Sequence, residues 1–296
     1  MPQRFRRQRL LLIGCGDVGL RVLRQLAPRT TVRALTSSPE RIDELRAAGV
    51  TPLLGNLDEP SSLRRLAGLA HRLLHLAPPP AEGWRDTRTR QLLHALGSRT
   101  GPGHWVYAST SGVYGDCAGQ RVTEARPVKP HTPRARRRVD AEQQMRQSAR
   151  QHLARVSLLR VPGIYAPDRP GGTPKDRLTK GTPVLQADDD VYTNHIHADD
   201  LARACVAALW RGKPQRVYNV NDDTDLKMGD YFDVAADLYR LPRPPRVARS
   251  TAQGELPLML LSFMSESRRM DNTRLKRELR FKLRYPTIYT GLLAPA

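Results

Sequence analysis

Gly14-Cys15-Gly16-Asp17-Val18-Gly19 follows directly on an apolar run, Leu10 to Ile13. It opens a helical pattern from Asp17 to Leu26, with Val18, Val22, Leu23 and Leu26 at helical spacing. Alone such a motif is weak evidence, because glycine is common; its place between a buried strand and a helix is what matters. Gly14 permits the tight turn, Gly16 lets the backbone approach a phosphate, and Gly19 lets helix and strand pack closely. The helix N-terminus adds free N–H groups and a positive dipole, so the turn is read as a cradle for a dinucleotide pyrophosphate, with Asp17 and Val18 inside it.

The remaining pattern agrees with that start. Strands are expected at Thr31 to Leu35, Val50 to Leu54, Arg72 to Leu76, Trp105 to Ala108 and Arg155 to Val161. Helices are expected at Pro39 to Ala48, Leu63 to Leu69, Thr89 to Leu96 and Pro133 to Arg150. Short buried strands alternating with amphipathic helices give an α/β fold, a Rossmann-type doubly wound parallel sheet. Beyond Pro162 the pattern loosens. Asp168 to Gly181 reads as a loop, Val191 to Ile196 as a strand, Asp199 to Trp210 as a helix and Arg216 to Val220 as a strand. A helix follows at Gly229 to Tyr239, then a proline-rich link and a basic C-terminal stretch. The dinucleotide-binding domain is expected at 1–164 plus 191–220. A small C-terminal substrate lobe is expected at 165–190 plus 221–296.

An NAD site carries an acid about 20 residues after the glycines, to take the ribose 2′-hydroxyl. Here the second strand ends in Leu35-Thr36-Ser37-Ser38, without a carboxylate. Hydroxyls at Thr36, Ser37 and Ser38, with Arg33 or Arg41 nearby, suit a 2′-phosphate. NADP is therefore expected as cofactor, with NAD as the alternative. In the other reading of these residues, Ser38 caps the next helix and the ribose is held otherwise.

Hydrophobic residues at 39% and charged residues at 26% exclude wholesale disorder. No apolar run approaches the ~18 residues of a membrane-spanning helix. The N-terminal Leu-Ile-Gly-Cys imitates a lipoprotein cleavage site, but its apolar stretch is shorter than the roughly seven residues a secretory signal needs. Three scattered cysteines, Cys15, Cys117 and Cys205, exclude a disulfide scaffold and point to the cytoplasm. The net charge is +20, yet seven lysines leave 42 of the 49 basic residues as arginine. That bias, with plentiful alanine, leucine and proline, reflects a GC-rich coding sequence more than a specific nucleic-acid partner. Asp188-Asp189-Asp190 reads as a solvated turn, since three consecutive carboxylates converge poorly on one ion. No metal site is expected.

Further motifs stand in order along the chain. Tyr107-Ala108-Ser109-Thr110-Ser111-Gly112-Val113-Tyr114-Gly115 follows the fifth strand. Arg160-Val161-Pro162-Gly163-Ile164-Tyr165, His195-Ile196-His197-Ala198-Asp199-Asp200 and Val217-Tyr218-Asn219-Val220 come later. From about residue 9 to 240 the chain resembles the extended short-chain dehydrogenase/reductases, the NAD(P)-dependent epimerase/dehydratase family. It looks most like their atypical subgroup, since typical members have two residues between the first two glycines. The resemblance implies cofactor contacts at Ala77, Pro78 and Pro162. It also implies an Asp-Leu pair against the adenine ring, which here reads Asn56-Leu57.

The resemblance implies a Ser or Thr with Tyr-x-x-x-Lys as the catalytic set. The hydroxyl falls on Thr110, with Ser109 beside it. Counting back from Glu142 places the Tyr position on Arg134 and the Lys position on Arg138. Arginine stays protonated near neutral pH and cannot cycle a proton as tyrosine does. Arg138 can still bind a ribose or phosphate, and Arg134 can clamp an anion; both also read as a solvated helix face. Tyr114, Tyr165, His195 and His197 are the remaining proton carriers near the cleft, though Tyr114 reads better as packing and His197 as a helix-fixing residue. Two functions follow. One is an oxidoreductase or epimerase-like enzyme on a small anionic or sugar-like substrate. The other is a catalytically silent NADP-binding sensor or interaction module. A homodimer through the long helices is compatible with either.

Overall fold

The computed structural model describes residues 7–97 and 101–294. Seven strands form the main sheet: β1 (Gln8–Ile13), β2 (Thr30–Thr36), β3 (Thr51–Leu54), β4 (Arg72–His75), β5 (His104–Thr110), β6 (Arg155–Val161) and β7 (Arg216–Asn219). Their order is β7-β6-β5-β4-β1-β2-β3, and every pairing is parallel. Strand order reverses between β1 and β4. In open parallel sheets that switch point opens a crevice at the carboxyl ends of the strands, where ligands bind.

The two-residue period of a strand sends alternate side chains to opposite faces. Leu10 and Leu12 enter one core, with Val22 of α1 (Asp17–Gln25). Leu11 and Ile13 enter the other, with Trp105 and Tyr107. All four β1 residues are at most 1% exposed, which is why this short run reads as a buried strand. The second core is covered by α3 (Thr87–Gly97) and α4 (Pro133–Gln151), while α2 (Ile42–Ala47) follows β2. The first core is covered by α1 and α5 (Ala198–Arg211). Helix α4 starts at Thr132, whose side chain accepts from the Ala135 amide at 3.2 Å, with Pro133 in its first turn. Inside it, Glu142 takes Arg160 of β6 in a buried two-point pair at 3.1 and 2.8 Å. The expected doubly wound sheet is therefore present.

A separate cluster lies beyond the sheet. Leu178, Val184, Leu185 and Val191 pack with Met228, Tyr231 and Phe232 of α6 (Met228–Tyr239), and with Ile288 and Leu292. Leu275, Leu279, Phe281 and Leu283, late in the chain, belong instead to the core under α1 and α5. Glu278 there pairs with Arg216 of β7.

Three local expectations change. The strand expected at Val191 to Ile196 is two short pieces, Tyr192–Thr193 and His195–His197, with different partners. Asn194 divides them because its side chain is the partner of another segment. It donates to the Arg268 carbonyl and accepts from the Met270 amide, both at 2.8 Å. The expected helix at Leu63 to Leu69 is a 3-10 turn, Pro60–Leu66. The loop expected at Asp168 to Gly181 contains a five-residue helix, Lys175–Thr179. No helix of the described residues is long and apolar enough to cross a membrane. Cys15, Cys117 and Cys205 are free and buried.

Candidate active site

The glycine turn sits at the strand-order reversal. Gly14 has φ +87°, and a Cβ on it would lie 2.5 Å from the Ala77 amide nitrogen, so only glycine fits. Ala77 in turn donates to the Ile13 carbonyl at 3.1 Å, which closes the turn against the end of β4. A Cβ on Gly19 would lie 3.2 Å from the Gly14 carbonyl oxygen, so this glycine sets the approach of α1 to β1. Gly16 is different: a Cβ there would meet nothing within 4 Å. It heads α1 with no side-chain cap, leaving the first amides of the helix free for an anion. Val18 borders the first core.

Asp17 is anchored rather than free. Its carboxylate accepts from Arg21 at 2.9 Å and from Arg169 at 2.8 Å. Arg21 is buried and also bonds Asp168 and Asp199, each at 2.6 Å. This hub ties the loop after Tyr165 to the start of α1. Sequence reasoning missed it, because Arg21 lies 147 residues from Asp168 and 178 from Asp199.

The Thr36 hydroxyl accepts from the Ser38 amide at 3.2 Å, while Ser37 is exposed. Ser38 stands at the N-cap of the turn Pro39–Arg41, but its side chain makes no capping bond. Arg33 donates to the Leu69 carbonyl at 2.9 Å and is committed there. Arg41 is held by Glu44 through two contacts of 3.0 Å. Both lie close enough to act on Cys15. Burial pushes that thiol up to about 11, with Arg41 opposing the shift and Glu44 adding to it. Asn56 is occupied by its own turn, accepting from the Asp58 amide at 3.0 Å and donating to Glu59 at 3.3 Å. Leu57 is buried. Arg88 grips Asp58 and reaches the Pro78 carbonyl at 3.5 Å, so it joins the loops after β3 and β4.

Beside this crevice opens a cleft of about 570 Å3 between the sheet and the lobe. Thr110, Arg134 and Pro162 line it, together with Tyr165, Arg177 and His195. Thr110 ends β5, and its side chain accepts from the Gly112 amide at 3.4 Å. Ser109 faces the opposite side of the strand, is 4% exposed and has an unpartnered hydroxyl. Arg134 has no hydrogen-bond or ion-pair partner among the described residues. Its side chain is exposed, and partial desolvation at the cleft wall together with the neighbouring Arg138 and Arg137 cations holds its pKa below the usual arginine value. Arg138, one turn later, points to the sheet. It donates to the Tyr107 hydroxyl at 2.9 Å and to the Ala108 carbonyl at 2.8 Å. Arg137 donates to the Gly83 carbonyl, and Arg136 stacks over Trp84.

The other proton carriers separate clearly. Tyr114 is buried, with its hydroxyl donating to Asn219 at 2.7 Å. Tyr165 shows its ring to the cleft, but its hydroxyl bonds Asp222 and the Thr287 carbonyl, both at 3.4 Å. Asp222 is buried, and its carboxyl is pushed up to about 7. His197 accepts the Asp199 amide at 3.2 Å and so fixes the start of α5. His195 stacks on Tyr231 at 4.2 Å on the cleft wall, with Nδ1 buried and unpartnered. Burial lowers it to about 4, so it is neutral at pH 7. In the acidic turn, Asp190 is buried rather than solvated. It caps α6 through the Gly229 amide at 2.8 Å, and Asp189 takes the Arg249 amide at 2.8 Å. No group of three metal-ligating side chains exists among the described residues.

Comparison with known proteins agrees with this geometry. A bovine (Bos taurus) dTDP-D-glucose 4,6-dehydratase is 24% identical over 145 residues, which is 46% of this chain. The matched segment spans only 39% of that enzyme's length. A solved structure from Silicibacter pomeroyi DSS, described as a functionally unknown conserved protein, superposes with a TM-score of 0.81 at 32% identity, covering 96% of each chain. The UDP-glucuronic acid 4-epimerase of Bacillus cereus, in complex with NAD, superposes with a TM-score of 0.75 at 18% identity, again over 96% of each chain. The model of the NAD dependent epimerase/dehydratase family matches residues 11–221. With that match covering more than two-thirds of a chain that carries the glycine turn at a strand-order reversal, the chain belongs to the NAD dependent epimerase/dehydratase family.

Proposed function

We propose that the chain binds NADP, with NAD as the alternative, at the glycine turn. We further propose that it acts as an oxidoreductase or epimerase-like enzyme on a small anionic, sugar-like molecule in the adjoining cleft. The residues present suit a dinucleotide. Gly14 admits no side chain, Gly16 leaves open space, and the first amides of α1 are free. When bound, the nicotinamide supplies hydride exchange with a substrate carbon. The 2′-phosphate reading draws on the hydroxyls of Thr36, Ser37 and Ser38, on the absence of an acid at the end of β2, and on Arg41 nearby.

The observation that carries the substrate reading is Arg134, an unpaired cation on the cleft wall at the family's tyrosine position. A guanidinium there holds a substrate oxygen by charge and donated hydrogen bonds but does not take its proton. The Thr110 hydroxyl orients the same oxygen. Proton transfer then falls to another group, and His195, which lines the cleft and is neutral at pH 7, is the candidate. A single specific observation favours the silent alternative: Arg138 spends one nitrogen on two internal acceptors, leaving the lysine role in part unfilled. Turnover of nucleotide sugars with NAD and NADP, by wild type and Arg134→Ala, separates the two. Substrate conversion that falls at least tenfold in the variant, followed as net cofactor reduction for a dehydrogenase and as product formation for a redox-neutral epimerisation, supports the enzyme. Cofactor binding without turnover in either protein supports the silent module.

A further inference from the structure

We propose that Arg169 is a positioning residue that fastens one wall of the substrate cleft to the dinucleotide turn, so that a bound dinucleotide tightens that wall. This rests on the cofactor reading above and deepens it.

The chain after Tyr165 forms a closed turn. The Ala166 amide donates to the Gly172 carbonyl at 3.2 Å, the Arg169 amide to the Ala166 carbonyl at 3.2 Å and the Gly172 amide to the Arg169 carbonyl at 2.8 Å. A Cβ on Gly172 would lie 2.6 Å from the Ala166 carbonyl oxygen, so the turn closes too tightly for a side chain there. Bonded to itself in this way, it moves as one piece. Arg169, Gly171, Gly172 and Thr173 all line the cleft.

Two ion pairs hold this piece against α1. Asp168 pairs with the buried Arg21 at 2.6 Å, and Arg169 pairs with Asp17 at 2.8 Å. Asp17 is the first residue of α1, directly after Gly16. Its carboxylate stands at the helix end whose free amides suit a pyrophosphate. A carboxylate beside a diphosphate is repelled unless cations neutralise it. Arg21 does not suffice, because Asp17, Asp168 and Asp199 share its single guanidinium. Arg169 supplies the second cation, and it is the partly exposed one of the two. A diphosphate arriving beside Asp17 adds negative charge there. It strengthens the hold on Arg169 and draws the turn against α1. By linkage the fastened turn favours the dinucleotide to the same degree. One partly exposed ion pair sets the size of the coupling at about three- to fivefold.

Calorimetric titration of the full chain with NADP and NAD, together with hydrogen exchange of segment 166–172 with and without saturating dinucleotide, tests this. Arg169→Met should weaken dinucleotide binding by about three- to fivefold. In wild type the dinucleotide should slow exchange across 166–172 by a similar factor, and in Arg169→Met it should not. Arg169→Lys keeps the charge and should restore most of both effects. In an Asp17→Asn background, Arg169→Met should cost no further affinity, since the carboxylate to be neutralised is gone. Four results overturn the coupling while leaving the cofactor reading standing. They are dinucleotide binding to wild type without slowed exchange, equal slowing in Arg169→Met, Arg169→Lys no better than Arg169→Met, and an Arg169→Met penalty that persists beside Asp17→Asn. Wild type that binds neither dinucleotide overturns both readings.

Discussion

One nitrogen of Arg138 donates both to the Tyr107 hydroxyl at 2.9 Å and to the Ala108 carbonyl at 2.8 Å. The contact joins α4 to β5 just before the strand delivers Thr110 to the cleft. Tyr107 is fully buried, and burial pushes its hydroxyl well above its ordinary value. Arg138 therefore acts here as a buried brace in addition to any role toward the ribose. Arg138→Ala removes this donor from the buried Tyr107 hydroxyl and the half-buried Ala108 carbonyl and should cost about 1–3 kcal/mol of stability. Urea denaturation measures it; an unchanged midpoint contradicts the brace.

Asp222 gives a signed pH effect. An aspartate in the unfolded chain titrates at about 3.9. In the folded protein, burial moves Asp222 up to about 7. Between those values the folded state holds the proton and the unfolded state does not. Asp222 therefore lowers stability as pH rises from about 4 through 7, after which its effect levels off. Asp222→Asn keeps an acceptor for the Thr224 amide, 3.0 Å away in the wild type, and does not titrate. The stability of the Asn variant relative to wild type should rise across that window. A difference that is flat or falls with pH contradicts the shift.

Arg41 follows the Thr36–Ser38 hydroxyls in the chain and is paired with Glu44 at the surface, whereas Arg33 donates to the Leu69 carbonyl, so Arg41 is the cation proposed for the 2′-phosphate. Arg41→Ala should weaken NADP binding by about tenfold, the size of one charge-assisted contact, and leave NAD binding almost unchanged. Parallel titrations with the two cofactors read the ratio. Equal losses for both, or none for either, would remove Arg41 from the reading.

Much of the sheet was legible because burial on both faces imposes unbroken apolar runs, as at Leu10 to Ile13. The glycine turn was legible because Gly14 has a backbone conformation and a neighbour that exclude any side chain. The site was legible only in outline. Thr110 and Arg134 reach the cleft as counted, whereas Ser109 faces away because strand residues alternate sides. Arg138 lies one turn after Arg134 on α4 but donates to internal partners set by packing that local pattern does not reveal. Arg21 and Asp222 carried no signal, since their meaning comes from residues far along the chain. Asn194 broke an expected strand for the same reason: its side chain satisfies a segment more than 70 residues away.

Gly16 offers the most direct test of the central claim. A Cβ there meets no protein atom within 4 Å, so Gly16→Asp should fold like wild type. It would nevertheless place a carboxylate against the pyrophosphate position at the head of α1. Titration of NADP and NAD into both proteins, with thermal melting as the folding control, decides the matter. The account predicts dinucleotide binding by wild type and its loss in Gly16→Asp, with nearly equal melting temperatures. Absence of binding in wild type, or binding that survives the substitution, would contradict a cofactor held by the glycine turn.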